Sequence, residues 1–82
     1  MRYFFDVSDG TRVIHDREGT DLPGLAAVQQ EVFDFGRKIL QHKFSYGIED
    51  LSRWSIQVMN EDHRVLTRVP LDKVKRLHRS AI

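Results

Sequence analysis

Four histidines, at positions 15, 42, 63 and 78, are the first residues of this chain able to hold a metal ion or carry a proton. No two stand three or four residues apart, the spacing that aims two imidazoles at one ion from a helix face. His42 falls on the polar side of an expected helix and His63 in an expected turn, so the set reads as scattered surface residues. The acidic group Asp6, Asp9, Asp16, Glu18 and Asp21 raises calcium as a ligand. An EF-hand loop with Gly10 at its sixth position would start at Phe5 and put Val7 third, and neither side chain can ligate. A carboxylate pair does acid–base work only where burial tunes it. These carboxylates sit in expected turns and strand ends, where capping and turn geometry account for them.

The nucleophile and phosphate motifs fail in the same way. Ser8, Ser45, Ser52, Ser55 and Ser80 include no G-x-S-x-G elbow. Gly10, Gly19, Gly24, Gly36 and Gly47 show neither G-x-G-x-x-G nor G-x-x-x-x-G-K spacing, so no phosphate cradle is visible. The chain has no cysteine, which removes disulfides and thiolate metal sites together. No residue is therefore assigned to catalysis, to a cofactor or to a metal, and the expectation is a non-enzymatic protein.

Charge is more informative. The 82 residues carry a formal net charge of +1, but residues 1–34 are net −4 and residues 35–82 are net +5. The last eleven residues, DKVKRLHRSAI, contribute +3. Arg68, Lys73, Lys75, Arg76 and Arg79 form a candidate polyanion-binding set, because cations on adjoining helix faces can follow a phosphate backbone. The same residues also complement a helix dipole and keep a tail soluble. A hydrophobic fraction of 40% excludes a disordered chain, and no apolar stretch approaches the roughly 18 residues of a membrane span. Residues 1–7, MRYFFDV, offer no apolar signal region. The expectation is a cytoplasmic protein.

The elements that position these side chains can be read from periodicity. Tyr3, Phe5 and Val7 alternate with Phe4, Asp6 and Ser8, which predicts a first strand over residues 2–8. Asp9-Gly10 suits a tight hairpin turn leading to a second strand at residues 12–16. Asp21 is placed as a helix cap and Pro23 in the first helical turn. Leu25, Val28, Val32, Gly36 or Phe35, Ile39 and Phe44 recur at helical spacing, with Gly36 expected at the closest approach of helix and sheet. The helix is expected to end near Lys43 or Phe44. Trp54, Ile56 and Val58 alternate with Ser55, Gln57 and Met59 as a third strand, and residues 64–69 read as a fourth. In the turn between them His63 or Asn60 must take the left-handed position usually given to glycine. Pro70 is expected to stop the strand, and residues 73–79 to form a short helix capped by Asp72 with Val74 and Leu77 inward.

The predicted fold class is α+β: a mainly antiparallel four-stranded sheet in the order β-β-α-β-β, one long helix on one face, and a short C-terminal helix. Residues 1–71 form the domain and residues 72–82 a basic helix or tail. These residues resemble a family of small bacterial domains of unknown function. The resemblance is carried by Arg2-Tyr3-Phe4-Phe5, Asp9-Gly10, the run from Glu18 to Ala27, Trp54 to Val58, and Val65 to Pro70. It departs at Asp62-His63-Arg64, where D-G-R is expected, and the tail after Leu71 lies outside it. It implies a common fold and brings no catalytic residue.

One helix covers one sheet face, which leaves Phe4, Met59 and Leu66 as a candidate interface on the other. The expectation is self-association as a homodimer through that face or a sheet edge. Binding of another protein or of nucleic acid stands as the alternative, and no membrane contact is expected.

Overall fold

Alternation along the first strand decides the layering of the molecule. In β1 (Arg2–Ser8), Tyr3, Phe5 and Val7 are buried on one face and Phe4 and Ser8 are half-buried on the other. The computed structural model describes residues 1–80, with side chains described to Arg76. The remaining elements are β2 (Val13–Ile14), β3 (Thr20–Asp21), α1 (Leu25–Gln41), β4 (Ser55–Met59), β5 (Val65–Pro70) and α2 (Leu71–Ser80), with a single 3-10 turn at Leu51–Arg53. The fold is α+β with an antiparallel sheet ordered β2-β1-β4-β5, and β3 pairs with β1 as well.

β1 and β4 pair from Phe4↔Met59 to Ser8↔Ser55, and β4 pairs with β5 from Ser55↔Pro70 to Val58↔Thr67. The register slips between Val58 and Met59, so Met59 faces Val65. Trp54 precedes β4, whose Ile56 and Val58 meet Val28, Val32 and Ile39 of α1, and Leu71 and Ile48 complete the cluster.

The second strand is shorter than expected, two residues in place of five, and β3 was not anticipated. The cause lies in Asp16. Its Oδ2 accepts the Phe5 N–H at 3.1 Å, so a side chain takes the place of a ladder carbonyl between β2 and β3. Its Oδ1 accepts the Gly19 N–H at 3.0 Å, and its own N–H donates to Asp6 Oδ1 at 2.9 Å. Gly19, at φ 74°, lies so close to β1 that a Cβ would stand 2.9 Å from the Phe4 ring. Asp16→Ala leaves the Phe5 and Gly19 N–H groups without acceptors and should cost about 1–3 kcal/mol of stability. Urea unfolding checks this, and a loss near zero would show that the ladder closes without Asp16.

Several boundaries differ from the sequence reading for local reasons. Asp21 is a β3 residue paired with Arg2, so the N-cap is Gly24, with extended backbone and no side-chain cap bond. α1 ends at Gln41, and a run of turn hydrogen bonds from Ser45, Tyr46 and Gly47 follows, which carries Phe44 off the buried stripe and leaves it exposed. β5 ends at Pro70 as expected, with Pro70 itself the last residue in the ladder. Pro70 faces Ser55, and the Leu71 N–H donates to Trp54 O at 3.0 Å as α2 begins. His63 takes the left-handed position at φ 60°, while Asn60 Oδ1 accepts the Asp62 and Arg64 N–H groups.

α2 packs on α1, on the face of the sheet that α1 already covers. Leu71 and Val74 are both buried. Gly36 therefore marks the closest approach of two helices rather than of helix and sheet, since a Cβ there would stand 2.8 Å from Val74 Cγ1. The boundary expected at residue 71 falls on the first residue of α2, whose Val74 is part of the packed interior. Leu77 and Arg79 lie outside the described side chains.

Candidate interaction surfaces

The helix-free face of the sheet is built from the outward residues of β1, β4 and β5. Phe4 and Met59 are cross-strand partners there, as the candidate interface requires. Both are half-buried by the chain itself: the His63 ring stacks on Phe4 at 5.7 Å, and Gly19 closes its other side. Val65 faces Met59 and extends this apolar row, and the rows beyond it are polar. Asp6, Gln57 and Arg68 lie in one cross-strand row and Ser8 and Ser55 in the next. Asp6 is buried because the segment after β2 folds over it. His15 Nδ1 lies 3.1 Å from its Oδ2, and the Asp16 N–H binds its Oδ1.

Leu66 is not part of that patch. The register slip in β5 turns it to the rim of a groove between α1, α2 and β5, with Leu25, Val28, Val32, Phe33 and Val69. The groove has a volume of about 560 Å³. Its rim holds the exposed apolar residues Leu25 (67% exposed) and Leu66 (42%), with Val65 (48%) next to Leu66 on β5. β5 is also the sheet edge. The Leu71 N–H to Trp54 O bond sets the antiparallel alternation. Val69 and Thr67 consequently bond inward to Ile56 and Val58, and the backbone groups of Arg68 point outward. Pro70 also faces outward and has no N–H to offer, which blunts that end of the edge.

The basic set is divided. Arg68 lies on the helix-free face, where its Nη2 donates to Gln57 Oε1 at 2.8 Å. Lys73 lines the groove on the other side of the sheet, and Lys75 and Arg76 are exposed on α2. Arg79 lies outside the described side chains. Arg53, which the sequence reading passed over, stands beside Arg68 in a hollow with Ser8 and Ser55. The parity of β1 and β4 was the available signal for it: Ser8 and Ser55 both fall on the polar side of their strands.

The three histidines with described side chains do not converge on an ion, and His78 lies outside them. His15 is held by Asp6 and His63 by Phe4, while His42 is exposed after α1. Among the described residues, no group of three or more His, Asp or Glu side chains is placed to hold a metal ion. None of the helices among them is long and apolar enough to cross a membrane.

Three surface carboxylates have lowered pKa values. Hydrogen bonds from the Arg12 and Thr11 N–H groups hold Asp9 below the ordinary carboxylate range, and the Arg37 guanidinium does so for Asp34. The Ser52 hydroxyl and N–H do the same for Asp50. All three are turn or helix-surface features.

Compared with known proteins, residues 2–72 match the family described as domain of unknown function DUF6894. The match spans most of the chain, which belongs to that family. Neither a curated protein nor a solved structure matches it.

Proposed function

We propose that this member of the DUF6894 family is a non-enzymatic interaction module that pairs with a second copy of itself along the β5 edge. The observation that supports the reading is the coincidence of an unpaired sheet edge with exposed apolar side chains: Val65 and Leu66 on β5, and Leu25 across the groove. Edge strands of monomers are ordinarily guarded by charge, proline or a bulge. Here Pro70, Arg68 and the register slip opposite Met59 guard parts of β5, and Val65 and Leu66 are its exposed apolar residues. A standard interface takes about 800 Å² from each partner. That is about one-seventh of the 5776 Å² surface of this chain.

Pairing of two β5 strands across a two-fold axis has a restricted register. An axis at Leu66 would oppose Arg68 to Arg64 of the second copy, and an axis at Arg68 would oppose the two Arg68 residues. Like charges directly opposite are destabilising. An axis at Thr67 places Arg68 against Leu66 instead, and this register avoids both clashes.

Sedimentation equilibrium over a range of concentrations tests the proposal. The expected result is a mass twice that of the 9.6 kDa chain, with Leu66→Asp weakening association about tenfold or more. A single-chain mass at high micromolar concentration would overturn it. If Met59→Glu dissociates the pair and Leu66→Asp does not, the contact lies on the helix-free face and the edge reading falls.

A further inference from the structure

The hollow shared by Ser8, Ser55, Gln57, Arg53 and Arg68 opens on the helix-free face, away from the groove, and Arg68 is its one residue that also lies on the β5 edge. We infer that the hollow is a binding site for the oxyanion of a phosphate group. Its volume is about 170 Å³, which suits one phosphate group and little more. It is assembled by sheet register: Ser8 and Ser55 are direct cross-strand partners, and Gln57 and Arg68 are partners in the neighbouring row. Arg53 enters from the 3-10 turn immediately before β4.

Ser8 and Arg68 are positioned to donate. Ser8 Oγ accepts the Gly10 N–H at 3.0 Å, so its acceptor side is engaged and its O–H proton is free for a ligand. Arg68 is positioned by Gln57, a neutral partner at 2.8 Å, so its fork is oriented while its charge is left uncancelled. The nearest carboxylate to Arg53 is Asp50, whose Oδ2 is 3.8 Å from Nε. Asp50 Oδ1 is already bound to the Ser52 hydroxyl at 2.6 Å and to its N–H at 3.1 Å. The single acidic residue lining the hollow is Asp9, and its Oδ1 is taken by the Arg12 N–H at 2.6 Å and the Thr11 N–H at 2.9 Å. Two guanidinium groups and two serines therefore line one hollow, with the carboxylates of Asp9 and Asp50 beside it each engaged by backbone N–H or hydroxyl donors. Each planar guanidinium fork matches a pair of oxygens on a carboxylate or a phosphate alike, but only a phosphate carries enough oxygens to engage two forks and the hydroxyls together.

The phosphate can belong to a small phosphorylated molecule or to a nucleic-acid backbone, and both present the same oxygens. Amide chemical shifts of the full chain, titrated at low salt, distinguish them. Inorganic phosphate, a mononucleotide and a single-stranded oligonucleotide are added in separate titrations. The expected result is a saturable shift centred on Ser8, Gly10, Ser55 and Gln57 with phosphate. Arg53→Gln and Arg68→Gln should each weaken it about tenfold or more, because each removes a charge-assisted hydrogen bond. Arg68→Lys should restore part of the affinity by returning the charge without the fork. Tighter, strongly salt-dependent binding of the oligonucleotide at the same amides assigns the phosphate to a nucleic-acid backbone. Equal affinity for mononucleotide and oligonucleotide assigns it to a small ligand. No saturable shift at these amides, or unchanged affinity in both glutamine variants with their folds intact, overturns the inference. Leu66→Asp should leave phosphate binding unaltered, so failure here and failure of the edge pairing are separate results.

Discussion

Replacing Ile56 by alanine is expected to lower the unfolding free energy by about 2–5 kcal/mol, the range for truncating a fully buried aliphatic side chain. Ile56 is 0% exposed, on the central strand β4 between β1 and β5, and it belongs to the cluster that α1 covers. The removed atoms leave a cavity whose walls are strands held by ladders on both sides, so little collapse can offset the loss. Domains of this length are stable by about 0.05–0.15 kcal/mol per residue, or roughly 4–12 kcal/mol in all. The variant should therefore show a large drop in urea midpoint. Val13→Ala, on a strand residue that is 47% exposed, should change stability by less than about 0.5 kcal/mol. A comparable effect at both positions would mean that the core does not lie between α1 and β4.

Gly36→Val is the second large effect, expected to destabilise by about 1–3 kcal/mol through overpacking. The glycine carries no positive φ and stands in the middle of α1, where it costs about 1 kcal/mol against alanine in propensity. What requires it is the helix crossing: an added Cβ would be 2.8 Å from Val74 Cγ1 and 3.3 Å from Val74 Cβ. Val74 is β-branched and 1% exposed, so it cannot swing aside within its rotamers. Gly36→Ala should fall between wild type and valine, because the propensity gain opposes a smaller clash. The readout is hydrogen exchange, with α2 amides losing protection before those of β1 and β4. Uniform loss across the sheet would argue that α2 is bound up with the sheet as one cooperative unit.

That crossing also changes how the basic segment can be tested. Val74 is buried, so deleting residues 72–82 removes part of the interior together with the charges. Charge reversal at the exposed Lys75 tests polyanion binding by α2 without that loss. The division of Arg68 from Lys73 and Lys75 gives the two faces different chemistry, and variants on one face should leave the other alone.

Strands and helices were largely legible along the chain because each has one buried face. Period-two alternation located β1 and β4, helical spacing of Val28, Val32, Gly36 and Ile39 located α1, and the need for a left-handed residue narrowed to His63 or Asn60, of which the structure uses His63. The errors share a cause. Asp21 and Asp16 were assigned by local rules, and each acts through a partner distant in sequence: Arg2 for Asp21 and Phe5 for Asp16. Gly36 was correctly read as a contact point, but its neighbour was a helix that periodicity could not dock.

The candidate sites divide along the same line. The chain by itself determined which residues are apolar, which are cationic and which strand face each occupies, because alternation depends only on neighbours. It placed Phe4 and Met59 on the strand faces turned away from the helix and left their pairing open, which the structure sets as Phe4↔Met59. Only the tertiary structure decided that α2 joins α1 on one face and that a register slip carries Leu66 to the groove. Only the tertiary structure brought Arg53 beside Arg68 across the sheet. Those outcomes depend on which strands lie side by side and at what offset, and the long-range hydrogen bonds and packing that set them leave no local period to read.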